Sequence, residues 1–198
     1  MSLTRLTPRW EPRRFPTAGA RLGFSCKLSM FRLQIPKNLS KTELYRSVGE
    51  QAQALVAGEL DFMANAANLC SLLWHCLPDI NWVGIYRLKP EGLVLGPFQG
   101  KPACTRIPPG KGVCGTCALR NESVLVPDVR KFPGHIACDP ASRSELVVPL
   151  RVCEDLVIGV LDLDSPVENR FDVVDQEAME ALSRLLTGPV SNLLKGDL

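Results

Sequence analysis

Between positions 81 and 164 the chain carries short β-rich segments in succession, with little helical period between them, and this run restricts the fold more than any other feature. Residues 81–88 (Asn-Trp-Val-Gly-Ile-Tyr-Arg-Leu) read as a strand, and 93–95, 103–107 and 124–126 are further candidates. Residues 145–152 and 156–164 read as a hairpin joined through Cys153-Glu154-Asp155. Helical period brackets the run. Ser40-Lys-Thr-Glu43 has the form of a capping box, with Leu44, Val48, Ala52 and Leu55 following at helical spacing. A second helix is expected over 60–77, stopped by Pro78, with Met63, Ala67, Cys70, Leu73 and Leu77 as its apolar stripe. Asp172 can cap a final helix bearing Val174, Met179, Leu182, Leu186 and, past Gly188-Pro189, Leu193. Consecutive strands set among terminal helices give an α+β architecture: a central antiparallel sheet of about six strands with helices covering one face. Residues 108–115 and 127–143 read as long loops, and loops of that length are commonly functional.

Charge divides the 198 residues in two. Of 23 basic and 21 acidic side chains, nine basic and one acidic (Glu11) fall in residues 1–41, which leaves 14 basic against 20 acidic for the rest. An acidic body lacks the basic face that neutralises phosphates, which disfavours nucleic-acid binding by the body. Pro8, Pro12, Pro16 and Pro36 interrupt the first forty residues. Residues 1–39 are therefore expected to be a poorly ordered basic extension to a domain over 40–198. Two readings of it stand side by side: a leader from an upstream start codon, with Met30 as the alternative beginning, or an Arg-rich organelle-targeting segment. Trp10-Glu11-Pro12-Arg13-Arg14 breaks any secretory apolar core, and no window supplies the ~18 apolar residues of a membrane span. A cytoplasmic location follows, where eight cysteines point to metal or redox chemistry rather than a disulfide scaffold.

The two loops hold three of those cysteines: Cys104 at the lip of the first, Cys114 within it, Cys138 in the second. Cys117 adds a Cys114-Gly-Thr-Cys117 motif. Spacing alone leaves three readings open. Cys104, Cys114, Cys117 and Cys138 (or His135) could converge on zinc. A thioredoxin-like dithiol would need the motif to open a helix after a strand in an α/β fold, which the sequence does not show. Some cysteines are plain buried hydrophobes, as Cys70, Cys76 and Cys153 are expected to be. Asp162 and Asp164 alternate with Leu161 and Leu163, which puts both acids on one strand face, where unpaired buried carboxylates are costly.

Cys104, Gly110-Lys-Gly-Val-Cys-Gly115, Asp128-Val129, Phe132-Pro-Gly-His-Ile-Ala-Cys-Asp139 and Ser144-Glu145 strongly resemble the free methionine-(R)-sulfoxide reductases. So do Asn81-Trp-Val-Gly-Ile-Tyr86, Leu95-Gly-Pro-Phe-Gln-Gly100 and Gly159-Val-Leu-Asp-Leu-Asp-Ser165, and the similarity runs over about residues 40–190 with all three family cysteines matched. The resemblance implies a GAF domain, and an L-methionine (R)-S-oxide reductase acting in oxidative stress. It implies Cys138 as the attacking thiol, Cys104 as the resolving one and Cys114 as a third cysteine able to join a disulfide or relay. Sulfoxide reduction by a thiol leaves methionine and a sulfenic acid, which a second cysteine must condense with before it oxidises further. Thioredoxin, fed by NADPH through thioredoxin reductase, is implied as the external reductant, with no bound cofactor and no metal.

Glu145, Asp162 and Asp164 match the family's pocket positions, Trp82 and Tyr86 its aromatic wall. The acids suit the ammonium of a free amino acid, which a peptide-bound methionine lacks. Because carboxylates disfavour a thiolate, activation is expected to fall on the sulfoxide, with Glu145 donating a proton to its oxygen. Cys117 departs from the pattern, where a small residue such as alanine is expected. His75 reads as structural. His135 is a candidate to polarise the Cys138 loop or to brace it. The alternatives to an enzyme are a ligand-sensing GAF module without turnover and a zinc-stabilised interaction domain. Many GAF domains pair through their terminal helices, so a homodimer is compatible with the resemblance.

Overall fold

The computed structural model describes residues 31–35, 37–136 and 138–196. Most of the basic extension, residues 1–30, lies outside them. The described residues between 31 and 39 form no helix or strand, and Gln34 exchanges two hydrogen bonds with the Gln51 amide. Ser40 caps α1 (Lys41–Val56) as its sequence dictates: its hydroxyl accepts from Glu43 N and the Glu43 carboxylate accepts from Ser40 N. Helix α2 (Phe62–Cys76) starts from Asp61, whose carboxylate accepts from Ala64 N at 2.8 Å. Its buried stripe is Asn65, Ala66, Leu69, Cys70, Leu72, Leu73 and Cys76, whereas Met63 and Ala67 are exposed. The expected phase was thus wrong at those two positions, because α2 is covered by the sheet on one side and by helices on another, which widens its apolar stripe.

The strands are β1 (Trp82–Lys89), β2 (Gly92–Gly100), β3 (Arg106–Ile107), β4 (Val124–Val126), β5 (Ser144–Cys153) and β6 (Leu156–Ser165). They form one antiparallel sheet in the order β3-β2-β1-β6-β5-β4. Helix α3 (Gly112–Arg120) separates β3 from β4, and α4 (Val173–Gly196) closes the chain behind Asp172, whose carboxylate accepts from Val174 N. Val174 is exposed while Met179, Leu182 and Leu186 are buried; the Leu193 side chain lies outside the described ones.

Both faces of the sheet are covered, which corrects the expectation of helices on one face only. Val83, Ile85, Leu146, Val148, Leu150, Leu161 and Leu163 face α1, α2 and α4 and form the main core. Trp82, Tyr86, Val147 and Val160 face the other way, under α3 and the loops around it. The alternation that sends Leu161 and Leu163 into the first core therefore sends Asp162 and Asp164 toward the second face.

Gly84 sits on that second face between Trp82 and Tyr86, and the Trp82 indole lies across it. A Cβ there would fall 2.3 Å from Trp82 Cη2 and 2.5 Å from Phe98 Cβ. Gly84→Ala must push the indole off its seat, and overpacking of this kind costs about 1–3 kcal/mol. Urea unfolding is expected to show a lower midpoint with an unchanged slope; a variant as stable as the parent would refute the close approach.

Candidate active site

Register builds the floor of the site. Trp82 pairs with Asp164 and Asp164 with Glu145, which sets one row across β1, β6 and β5. Two residues along each strand, Gly84, Asp162 and Val147 form the next row. Three carboxylates thus crowd two adjacent strands on one face. The aromatic wall stands beside them: Trp82 stacks on Tyr86 at 5.8 Å between centroids and on Phe98 at 5.5 Å. Both ring heteroatoms reach outward to the rim, Trp82 Nε1 donating to Lys101 O at 3.1 Å and Tyr86 OH to Cys104 O at 3.0 Å.

The cover comes from α3 and the segment 127–143. The expected loop 108–115 ends early, since α3 begins at Gly112 and takes Cys114 into its first turn. The Cys114-Gly-Thr-Cys117 motif therefore does open a helix after a short strand, which the sequence did not show, but the sheet is antiparallel and the fold is not the α/β one a thioredoxin-like dithiol needs. Gly112, Gly115 and an unsatisfied cap concealed it; packing of Val113, Cys114 and Cys117 on the sheet holds it. Cys114 is buried, its Sγ donating to Asp162 Oδ2 at 3.1 Å and lying 4.0 Å from Glu145 Oε1. Cys117, one turn on, faces Val147 O at 3.6 Å in the apolar layer. Cys104 and Cys138 form a disulfide at the rim, their Cα atoms 5.9 Å apart. The enclosed pocket, open mouth included, holds about 550 Å³, with Trp82, Tyr86, Cys114, Cys138, His135 and the three acids among its lining.

Burial dominates the electrostatics. It pushes Glu145 well above the ordinary carboxylate range, with Asp164 adding to the shift. Asp162 is raised by burial and by Glu145, and Asp164 by burial and by Asp162. The Cys114 thiol rises for the same reasons, burial first and then Asp162 and Glu145, so it is held as a thiol. His135 Nε2 lies 3.5 Å from Glu145 Oε2, and burial lowers the imidazole's pKa, which favours a neutral contact over an ion pair. Asp162 Oδ1, buried, has no hydrogen-bond partner.

Every predicted site residue lines this one pocket except Cys104, which is half-buried at the rim and bonded to Cys138. The zinc set does not assemble: two of its cysteines are joined to each other and Cys117 points at a carbonyl. A different donor set is close together, with atoms of Cys114, Glu145 and Asp162 within 4.8 Å of one another. It could receive a cation. Cys153, expected to be buried, is exposed where β5 ends, while Cys70 and Cys76 are buried. His75 is exposed, with its Nδ1 2.8 Å from Ser71 O, one turn back on α2. Sequence reasoning passed over Lys101, Asp139 and Ser142, which complete the rim; Asp139 stood next to Cys138 in the quoted motif, but polar residues on loops carry no periodic signal.

The family model for the GAF domain matches residues 56–188. The free methionine-R-sulfoxide reductase of Escherichia coli (strain K12) is 51% identical over 144 residues, 73% of this chain and 87% of that protein. The chain belongs to the free methionine-R-sulfoxide reductase family. The yeast (Saccharomyces cerevisiae) reductase of that name is 43% identical over 156 residues, 75% of this chain and 87% of the relative. The free methionine-R-sulfoxide reductase of Neisseria meningitidis, solved in complex with its substrate, superimposes with a TM-score of 0.78 at 41% identity, over 83% of this chain and 99% of that one. Membership makes the chain an oxidoreductase with a GAF fold, as its motifs implied.

The raised acids set the sign of a pH effect. A carboxyl whose folded pKa lies above its unfolded one binds more protons folded than unfolded, so its contribution to stability is lost as pH rises from about 4. Glu145→Gln and Asp162→Asn are therefore each expected to be more stable than the parent near pH 8, with the difference shrinking toward pH 4, about the unfolded carboxylate pKa. Chemical denaturation across pH checks this; a gap independent of pH would contradict it.

Proposed function

We propose that this chain reduces free L-methionine-(R)-S-oxide to L-methionine, with Cys138 as nucleophile and Cys104 as resolving cysteine. The observation that carries the reading is the Cys104–Cys138 disulfide at the mouth of a pocket floored by three buried acids, none of them paired with a lysine or arginine among the described residues. In the reaction Cys138 sulfur attacks the sulfoxide sulfur while the oxygen takes up a proton; methionine leaves and Cys138 keeps the oxygen as a sulfenic acid. Cys104 then displaces that oxygen as water and closes the disulfide. An external dithiol, thioredoxin supplied by NADPH through thioredoxin reductase, reopens it by exchange.

The acids fit two tasks. Glu145, kept protonated by burial beside Asp164, is placed to donate to the sulfoxide oxygen as general acid. Asp162 and Asp164 receive the substrate ammonium, and the unpartnered Asp162 Oδ1 is an acceptor waiting for such a donor. A peptide-bound methionine brings no positive charge and would leave that oxygen unpaired, which is the basis of selection for the free amino acid. Trp82 and Tyr86 seat the S-methyl group, at roughly 1 kcal/mol each. Cys114, held as a thiol under the acids, is a poor first nucleophile and suits a secondary part in disulfide relay. Among the described residues no helix is long and apolar enough to cross a membrane, and we place the reaction in the cytoplasm, where thioredoxin keeps thiols reduced.

A thioredoxin-coupled NADPH assay with R and S sulfoxides, free and peptide-bound, tests the reading. Only the free R form is expected to turn over. Cys138→Ser abolishes it, whereas Cys104→Ser yields roughly one methionine per chain and no recycling. Glu145→Gln is expected to slow reduction about a hundredfold. Retained turnover in Cys138→Ser would overturn the assignment, as would equal rates on free and peptide-bound substrate; binding without any turnover would instead mark a ligand-sensing GAF module. Mass measurement in solution decides whether two copies pair, as the family resemblance suggests.

A further inference from the structure

Asp139 follows Cys138 directly and lies buried at the rim of the pocket, where three polar groups hold its carboxylate. Lys101 Nζ stands 3.1 Å from Oδ2 and 3.4 Å from Oδ1, Asn81 Nδ2 donates to Oδ2 at 3.3 Å, and Ala141 N donates to Oδ1 at 2.9 Å. These partners come from different parts of the chain. Lys101 stands immediately past β2, three residues before Cys104, and its carbonyl is already tied to the Trp82 indole. Asn81 precedes β1 and is fixed to the sheet through its own N–H, which donates to Asp164 O at 3.0 Å. The Lys101–Asp139 contact therefore joins the segment that carries Cys104 to the segment that carries Cys138. It is independent of the bond between the two sulfurs. Unlike the acids of the pocket floor, Asp139 has its pKa lowered, chiefly by the Ala141 N–H and also by Lys101 and Asn81, so the clasp is ionic.

We infer that Asp139 is a positioning residue: with Lys101 and Asn81 it keeps Cys138 within bonding reach of Cys104 once the disulfide has been opened. This rests on the proposed roles of the two cysteines and adds a part for residues that no motif assigned. The step it serves is the second one, in which Cys138–SOH and Cys104–SH condense to the disulfide and release water. If the segments separate, the sulfenic acid outlives its partner's approach, and a second sulfoxide molecule can pass its oxygen to it, leaving as methionine and converting Cys138 to the sulfinic acid, from which thiols do not recover it. Held together, the two sulfurs react as an intramolecular pair at high effective concentration. Tyr86 contributes from the other side by fixing the Cys104 carbonyl.

Rapid-quench measurements on the full chain read the two steps apart. Reduced protein is mixed with free methionine-(R)-sulfoxide; methionine release reports reduction, and loss of dimedone-reactive sulfenic acid reports resolution. Asp139→Ala is expected to slow resolution about tenfold relative to reduction, with accumulation of dimedone adduct and, under excess substrate, of sulfinic acid. Lys101→Ala, at an exposed position that does not endanger folding, should slow resolution about twofold at low salt, the size of a half-exposed ion pair, and the deficit should vanish at high salt. Lys101→Arg should restore the parent rate. Resolution unchanged in both Asp139→Ala and Lys101→Ala would overturn the inference. So would a parallel loss of both steps, which would mark a merely structural residue. Hydrogen peroxide generates the same Cys138 sulfenic acid without methionine chemistry. The clasp is thus still read, and can still fail, if the proposed substrate is not reduced.

Discussion

The rest of the site depends on three acids that the fold buries side by side with no lysine or arginine among the described residues to pair them. Adjacent carboxylates withdrawn from water are among the costlier features a small domain can carry, and they persist here only because the sheet fixes them. Glu145, Asp162 and Asp164 occupy neighbouring register positions on β5 and β6, and the same strands send Leu146, Leu161 and Leu163 into the main core on the opposite face. Moving any acid out of the pocket would mean slipping a strand by one residue, which would drive leucines toward the pocket and acids into the core. Stability of one face thus holds the strain of the other.

Those acids order the chemistry proposed around them. A thiol placed among the acids, as Cys114 is, is held protonated, whereas the disulfide pair sits higher, at the rim, where Cys138 is exposed. In the proposed reaction the proton for the sulfoxide oxygen and the sulfur that attacks it therefore come from different levels of the pocket. His135 adds no charge to this arrangement, since burial favours its neutral form. The single compensated acid, Asp139, belongs to the rim and to the alignment of the cysteines rather than to the floor.

Much of this was legible in the sequence where local signals act alone. The Ser40 capping box, the strand over Val124–Val126 and the β5–β6 hairpin depend on neighbouring residues and appear where their motifs place them. Alternation sufficed to put Asp162 and Asp164 on one face. What the sequence concealed was tertiary in origin. Helix α3 has nine residues, two of them glycine, and no side-chain cap; only its packing on the sheet makes it a helix. The stripe of α2 was misjudged because it is packed from more than one direction. Cys153 carries the composition of a buried hydrophobe, yet it is exposed because it stands where the strand meets its turn. The clasp around Asp139 joins residues 58 apart in the chain to Asn81 and 38 apart to Lys101, a separation that no local pattern announces.

Selection of a free amino acid by buried negative charge is the claim on which the functional reading stands, and it can be measured without turnover. Calorimetric titration of the Cys138→Ser protein with methionine-(R)-sulfoxide and with its N-acetyl derivative isolates the ammonium group. Acetylation is expected to weaken binding about a hundredfold or more, the scale set by leaving a buried charge without its partner, and Asp162→Asn should narrow that gap. Equal affinity for the two ligands would show that the carboxylates do not hold the amine.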